Sequence, residues 1–444
     1  MVIAIFLSLA ISPIADAQPP RGDTIPLSLD AALERAHEFN PTLRAERAEA
    51  RMAAQGPLEA TQAFLPTLEF GLQGLRTTDP VAVFGLKLRQ ENFASEDLAL
   101  DPLNRPDPYT GYNTTAMVQL PIFAPEGLFG YSAARRAAAA REAAVGRAAG
   151  ATTFFVSQAY WGAQLSARRV ETLYTGLEAA RAHARQAEAL NRQGIVTGLD
   201  ARLARIRAAE IETQLLGATA DAANALSALR TMLALPDSQP LVLTDSLAGT
   251  AETECDQPGT ECDASTRGDL EALRLGTEAA SAAVKSAWAS HLPSIAVFGT
   301  LAYYGQSSPW GSGSGDWTIG VGLKWTPFPA LAGVGAVRRA KAERDAALSR
   351  REAAERQAEL EIVKARRLVA AAGERVSVAD NANAEALEAL DQAQVRYRTG
   401  ISPITELLDV QAATTAATLN MHAARHDLFV ALAALDFAYG AYDR

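Results

Sequence analysis

Two stretches of this chain, from about Gly127 to Arg192 and from about Leu331 to Thr399, contain no proline and are rich in Ala, Arg, Glu and Leu. At a rise of ~1.5 Å per residue, each makes a helix roughly 100 Å long. Helices in globular domains average about three turns, ~11–12 residues. A rod this long needs a coiled coil or a wall of packed helices to bury its apolar stripe. Small residues such as Ala137 to Ala140 let helix backbones approach closely. Each rod ends at a glycine, Gly194 or Gly400, and a second helical stretch follows, roughly 199–235 and 403–437. The pattern predicts two long antiparallel helical hairpins. A second reading keeps the same segments but breaks the rods at Gly146/Gly150 and at Ala370–Gly373 into several shorter helices.

The hairpins belong to a duplicated unit. Asn191-Arg-Gln-Gly-Ile-Val-Thr-Gly-Leu-Asp200 resembles Tyr397-Arg-Thr-Gly-Ile-Ser-Pro-Ile-Thr-Glu406, at an offset of 206 residues. Pro121-Ile122-Phe123 and Pro327-Phe328-Pro329 stand at the same offset, and Leu65-Pro66 matches Leu292-Pro293 at 227. Markers repeated in order at fixed spacing indicate an internal two-fold repeat. The implied plan is a leader over 1–17, a first repeat over 18–247, a linker over 248–267 and a second repeat over 268–444. Each repeat reads as a helical stretch (41–63 or 268–290), two strands and a long hairpin, with a short equatorial strand closing the first repeat.

Ahead of each rod lie segments of period two. In the last, Trp317, Ile319, Val321, Leu323 and Trp325 oppose Thr318, Gly320, Gly322, Lys324 and Thr326. In the first, Leu68, Phe70 and Leu72 oppose Thr67, Glu69 and Gln73; in the second, Thr114 to Ile122 alternate with Asn113, Thr115 and Gln119. The fourth, Ser294–Tyr304, is less regular, because Phe298 falls among the small residues. Alternation of this kind marks a strand with two unlike faces. Strands of ~9–11 residues are long enough to cross a bilayer at a tilt. Trp317 and Trp325 lie roughly 26 Å apart along a strand, which puts an aromatic near each edge of a ~25 Å apolar band. The same strands would also serve a sandwich with its apolar faces in a core. Asp79 to Gly111 and Gln306 to Gly315 read as polar loops at the hairpin ends.

Composition narrows the choice. The formal charge is −10, from 41 Lys and Arg against 51 Asp and Glu, which argues against nucleic acid as a partner. A mean hydropathy of −0.02 excludes a polytopic helical membrane protein, and past the first dozen residues no apolar run is long enough to span a bilayer as a helix. Val2 to Ile11 is apolar and precedes Ala15-Asp16-Ala17, which reads as a secretory signal cut after Ala17. No Lys or Arg precedes that run, and a buried N-terminal helix is the other reading. The two cysteines, Cys255 and Cys262, bracket a turn-rich hexapeptide. In an exported protein this spacing fits a disulfide, the alternative being two thiols on an exposed loop; a metal site would need more ligands.

Four strands cannot close a membrane barrel, for which ~8 is the observed minimum, and open edges are not tolerated in lipid. Bilayer-length strands here therefore imply several copies, which with the rods would form a conduit needing no catalytic group.

In this respect the chain resembles the TolC-type outer-membrane efflux proteins, the outer membrane factors. The resemblance rests on Gly194-Ile-Val-Thr-Gly-Leu-Asp200, Tyr397-Arg-Thr-Gly400-Ile-Ser-Pro-Ile-Thr-Glu406-Leu-Leu-Asp409-Val, the Leu-Pro pairs at 65 and 292, Pro121-Ile-Phe and Val83-Phe84-Gly85-Leu86-Lys87-Leu88. It implies a mainly α, mixed fold: long helical hairpins forming an α-barrel, joined to a four-strand share of a twelve-stranded transmembrane β-barrel in a homotrimer. It implies a location in the outer membrane of a Gram-negative bacterium, with a periplasmic helical domain. The partners it implies are a periplasmic adaptor (membrane fusion) protein and an inner-membrane RND, ABC or MFS pump, with no cofactor. Gly194 and Gly400 would sit at the hairpin tips where the adaptor docks. Asp200 and Tyr397 match the positions whose inter-helix hydrogen bonds help hold the aperture shut. Ser402 stands where some members carry an arginine that adds a closing link.

Glu406 and Asp409 are three residues apart and share a helix face. In a trimer each would form a ring of three carboxylates, which favours cations. The plainer reading is that these acids, like Asp200, cap a helix N-terminus. His422 and His426 have the i, i+4 spacing of a metal pair, but Ala423-Ala424-Arg425 between them lacks the glutamate of a metalloprotease. They read as an ordinary helix pair, and no nucleophile elbow, phosphate loop or zinc cluster is present. The competing function is a soluble periplasmic coiled-coil scaffold or adaptor.

Overall fold

A computed structural model describes residues 25–248, 253, 267–310, 313–328 and 330–443. The expected leader and both cysteines, Cys255 and Cys262, lie outside the described residues. In chain order the elements are β1 (Ile25–Leu27), α1 (Leu29–Phe39), α2 (Pro41–Ala53), α3 (Gly56–Ala60), β2 (Thr67–Thr77), α4 (Pro80–Arg89), α5 (Leu100–Asn104), β3 (Tyr109–Phe123), α6 (Pro125–Arg192), α7 (Gly198–Met232), β4 (Leu241–Leu243), α8 (Gly268–Ala289), β5 (Ser294–Gly305), β6 (Ser314–Lys324), α9 (Ala330–Arg398) and α10 (Ile404–Tyr439). Two compact units interleave along the chain. One comprises Met1–Pro41, Phe155–Ala251 and Ala372–Val430; the other comprises Thr42–Phe154, Glu252–Ala371 and Ala431–Arg444.

The second unit holds an antiparallel sheet in the order β2-β3-β5-β6. Thr67 pairs with Gln119, Tyr112 with Gly305, and Ser294 with Lys324. The register slips between Pro121 and Phe123, as expected where a proline cannot donate to the ladder. The pairing lines up whole rows of one kind. Leu68, Val118, Gly299 and Ile319 form one row, and Phe70, Ala116, Leu301 and Trp317 the next on the same face. The opposite face carries Gly71, Thr115, Ala302 and Asp316. Phe298, the irregular residue of β5, lies on the polar face with its ring over Gly320 of β6, where any side chain would collide with it. The glycine makes room for the ring, so the lapse in alternation is packed rather than strained.

Two local expectations are corrected in this unit. The stretch 41–63 is not one helix: α2 ends at Ala53, and α3 begins one residue before Pro57, which has no N–H to offer a continuous helix. The segment from Asp79 to Gly111 is not simply a polar loop. Asp79 accepts from the Ala82 N–H at 2.8 Å and, with Pro80 behind it, starts α4. Val83 is buried, Lys87 pairs with Asp97 at 2.5 Å, and buried Gln90 donates to the Gly305 carbonyl at 3.1 Å. These bonds fold the segment back over the end of the sheet.

Gly146 and Gly150 serve close approach and do not break α6, and Gly373, with open space beside it, does not break α9. α6 runs unbroken for 68 residues and α9 for 69, so the several-helix reading fails. Gly146 and Gly150 lie against Asp443, whose carboxylate accepts from the Gly268 N–H at 2.9 Å. Beside it the Arg147 guanidinium stacks 3.5 Å over the Phe437 ring and donates to its carbonyl at 2.7 Å. Arg267, its side chain only 3% exposed, bonds Asp269, Glu361 at 2.9 Å and the Ala438 carbonyl at 3.1 Å. Burial pushes the Asp443 carboxyl up and the Arg147 guanidinium down. Breaking such a buried set by removing one member is costly, because the rest stay desolvated.

In the first unit, β1 and β4 pair in parallel, from Ile25 opposite Leu241 to Leu27 opposite Leu243. Tyr160 of α6 ties this pair together: its hydroxyl donates to the Leu27 carbonyl at 2.9 Å and accepts from the Asp245 N–H at 3.2 Å. Burial pushes the phenol up to about 12. Leu229, Leu233 and Val156 fill the core around it, and Trp161 stacks on Phe429 at 4.2 Å. Farther along, α6 meets α7 through Leu173, Leu177, Ala180, Ala208 and Ile211.

Candidate functional site

Two features on the described residues stand out: the faces of the sheet in the second unit and the hairpin turns in the first. The sheet leaves its apolar face uncovered, while Ala302 and Tyr304 on the opposite face are buried. Trp317, Ile319 and Val321 are each 71% exposed and Phe70 is 74% exposed, a contiguous apolar surface of a kind that water-soluble monomers rarely show. Trp325, just past β6, donates from Nε1 to the His291 carbonyl at 3.1 Å, so the aromatic at that end of the band is fixed. β2 and β6 are edge strands with one unpaired side each. No helix among the described residues is long and apolar enough to cross a membrane.

The two turns are built alike. Gly194 and Gly400 both have φ +73°, the left-handed conformation that a β-carbon disfavours. The N–H of Ile195 bonds the Leu190 carbonyl at 3.0 Å, and the N–H of Ile401 bonds the Arg396 carbonyl at 2.9 Å. The N–H groups of Gly194 and Gly400 bond the carbonyls of Asn191 and Tyr397. Both are helix-ending motifs that satisfy the last carbonyls of α6 and α9. Every one of these bonds recurs at the offset of 206.

After the turns the chemistry diverges. Thr197 caps α7, and Asp200 answers it: the Asp200 carboxylate accepts from the Thr197 N–H at 2.9 Å and its hydroxyl at 2.8 Å. This reciprocal capping box engages Asp200 within its own hairpin. Glu406 is its counterpart, but Pro403 stands where Thr197 would, with neither an N–H nor an accepting side chain. Glu406 instead lies 3.5 Å from Nη2 of Arg396, ten residues earlier, a partner no local pattern announces. Asp409 is exposed.

Tyr397 is only 5% exposed and packs with Ala187 of α6, Ala201 of α7 and Ile404 and Leu407 of α10. Its hydroxyl has no hydrogen-bond partner, nor has buried Ser402 Oγ. Burial first, then the nearby charge of Asp200, pushes the phenol up. Tyr397 and Asp200 are thus within electrostatic reach, with no hydrogen bond joining them. Of the histidine pair, His426 lies 3.2 Å from Asp427; among the described residues no group of three or more metal-ligating side chains is found.

The comparisons agree with this geometry. A family model described as "Outer membrane efflux protein" matches residues 32–235 and 264–441. No curated protein sequence matches the chain. Among solved structures, the outer-membrane channel OprN is similar with a TM-score of 0.78 at 19% identity, over 94% of this chain and 91% of that one. VceC of Vibrio cholerae is similar with a TM-score of 0.75 at 20% identity, over 93% and 96%. The MtrE channel of Neisseria gonorrhoeae, solved in its open state, gives 0.76 at 19%, over 93% and 88%.

Proposed function

The chain belongs to the outer membrane efflux protein family, and from that premise we propose a passive, trimeric exit duct gated at its hairpin tips, serving a tripartite efflux or type I secretion system. The family sets aside the soluble scaffold and places the protein in the Gram-negative outer membrane. The observation that carries the finer reading is the sheet: four bilayer-length strands with one apolar face exposed and both edges open. In lipid an unpaired edge leaves backbone groups without partners. Pairing β6 of one copy with β2 of the next satisfies both edges at once, and three copies close twelve strands.

The helices support the same closure. On α7, Leu199, Arg202, Ile206, Thr213 and Leu216 are exposed at heptad-like spacing; on α9, Val378, Glu385, Glu388 and Val395 are exposed likewise. Arg202 and Arg205 stand about as far past Gly194 as Asp391 and Glu388 stand before Gly400. An antiparallel contact between α7 of one copy and α9 of the next would bring opposite charges together along an apolar seam. At the tips, Tyr397, Asp200 and the turns around Gly194 and Gly400 would hold the aperture, with Glu406 and Asp409 forming carboxylate rings that favour cations. The tips would dock a periplasmic adaptor, and the energy would come from an inner-membrane RND, ABC or MFS pump, the duct itself having no catalytic part.

The test is the state of the native protein. Extracted from outer membranes, it should run as a heat-modifiable trimer and conduct ions in a planar bilayer. A water-soluble monomer that ignores lipid would overturn the reading.

A further inference from the structure

His183 lies on α6 eleven residues before Gly194, and Gln411 lies on α10 eleven residues after Gly400. Both side chains turn into the seam between these helices, and His183 is only 9% exposed. They sit next to the tip core of Ala184, Ala187, Tyr397 and Leu407. Neither His183 Nε2 nor Gln411 Oε1 completes a hydrogen bond, although both atoms are buried.

A buried imidazole can stay neutral at little cost, but a buried imidazolium needs a partner. Here the surroundings oppose the charge. Burial is the largest influence and disfavours the cation; Gln411 favours it in part, and the Arg398 guanidinium of α9 disfavours it again. Asp409 of α10 and Arg185 and Glu188 of α6 are exposed, and α7 meets α6 in this layer through Ala204 and Ala208. His422 of α10 lies eleven residues farther along the same α6–α10 seam, lining a cavity with Gln411, Arg168 and Glu171, and burial pushes its imidazole down as well. His426 lies beside Asp427, and His37 and His291 are on other elements.

We propose that His183 is a proton-operated release for the hairpin tips: neutral, it lets α6 and α10 close over it; protonated, it drives the seam apart and opens the duct. This rests on the duct reading above. In an opened seam the imidazole meets water and takes up a proton near the ordinary ~6.5 of histidine. The closed seam resists that proton. As pH falls below that value the open form binds the extra proton, so the closed form loses ground by up to about tenfold per pH unit for each copy. Above it both forms are neutral and closure is independent of pH. The device would couple the aperture to acidification of the compartment around the tips.

The experiment compares the native chain with His183→Gln, which keeps a neutral polar side chain of similar reach. Open probability is measured in planar bilayers at pH 7.5, 6.5 and 5.5. The native channel should open about tenfold or more over this range, and His183→Gln should respond little. Parallel profiles for the two proteins would overturn the proposal. If His183→Gln does not assemble, Arg398→Gln serves: with the opposing cation gone the acid response should shrink, and an unchanged response counts against the idea. Amide exchange of residues 404–418, corrected for intrinsic pH dependence, reads the same seam without conduction. Absence of conductance at every pH, with exchange still rising in acid for the native chain alone, would sink the duct and leave the proton release standing. Exchange that is equal in both proteins would sink the release.

Discussion

At the turn after α6, the chain leaves Gly194 and is caught three residues later by Thr197, which Asp200 answers with two hydrogen bonds. At the turn after α9, the same backbone bonds and the same φ of +73° recur, but Pro403 removes the cap and Glu406 turns back to Arg396 across 3.5 Å. The first turn is closed by short-range, charge-assisted bonds. The second relies on packing around Tyr397 and on a solvent-exposed ion pair, and surface pairs of that kind contribute little, about 0–1 kcal/mol. If the aperture gives way at one place, the second hairpin is the weaker.

The largest effect should come from Tyr397. Tyr397→Ala empties a nearly full site between four helices and should cost about 3–5 kcal/mol; thermal unfolding should fall and single-channel conductance rise. Tyr397→Phe separates packing from hydrogen bonding. Because the hydroxyl has no partner here, its loss should leave closure unchanged or tighter. A leaky Tyr397→Phe channel would mean the hydroxyl holds the tip in the assembled trimer.

Next come the turns themselves. Gly194→Ala and Gly400→Ala each place a β-carbon at positive φ, at about 1–2 kcal/mol, and should cost the same, since no neighbouring side chain crowds either position. Unequal costs, read by thermal melts, would break the equivalence of the two turns.

Thr197→Ala removes a cap and should cost about 1 kcal/mol, with Asp200→Ala close behind and a modest rise in conductance. Glu406→Gln should cost less than either, which is the direct measure of the difference between the hairpins. A mirror case lies at the far ends of α7 and α10. Gly440 closes α10 at φ +77°, and Ala234, 206 residues earlier, closes α7 at φ +51° with the same pair of backbone bonds. Exposed Ala234 should therefore gain about 1 kcal/mol on change to glycine, whereas Gly440→Ala should lose more, because the backbone of Arg267 lies against it.

The smallest effect is on selectivity. Glu406→Gln with Asp409→Asn should lower cation preference about twofold if the acids ring the aperture. Equal reversal potentials before and after would remove the ring.

Much of this molecule could be read from residue order. Proline-free, alanine-rich runs gave the rods their length; glycines at 194 and 400 marked their ends; period-two segments marked the strands; and one spacing, 206, announced that a unit recurs. Asp200, at the start of the returning helix, allowed the capping reading that the structure bears out. Each of these is a local constraint, a matter of backbone freedom and hydrogen bonding within a few residues, so sequence suffices to state it. The folding of 79–111 into α4 was missed because it depends on Val83 and Gln90 finding the end of a sheet, and on Gly305, 215 residues away.

What only tertiary structure decided are the encounters between distant segments. The parallel pairing of β1 with β4, the closing of Arg267 on Glu361 and Ala438, the turn of Glu406 toward Arg396, and the burial of the Tyr397 hydroxyl and of His183 Nε2 without a completed hydrogen bond belong to this class. None has a periodicity or a spacing, because the energy of burying a polar atom depends on what else arrives beside it. That is fixed by the path of four long helices past one another, not by the residues on either side.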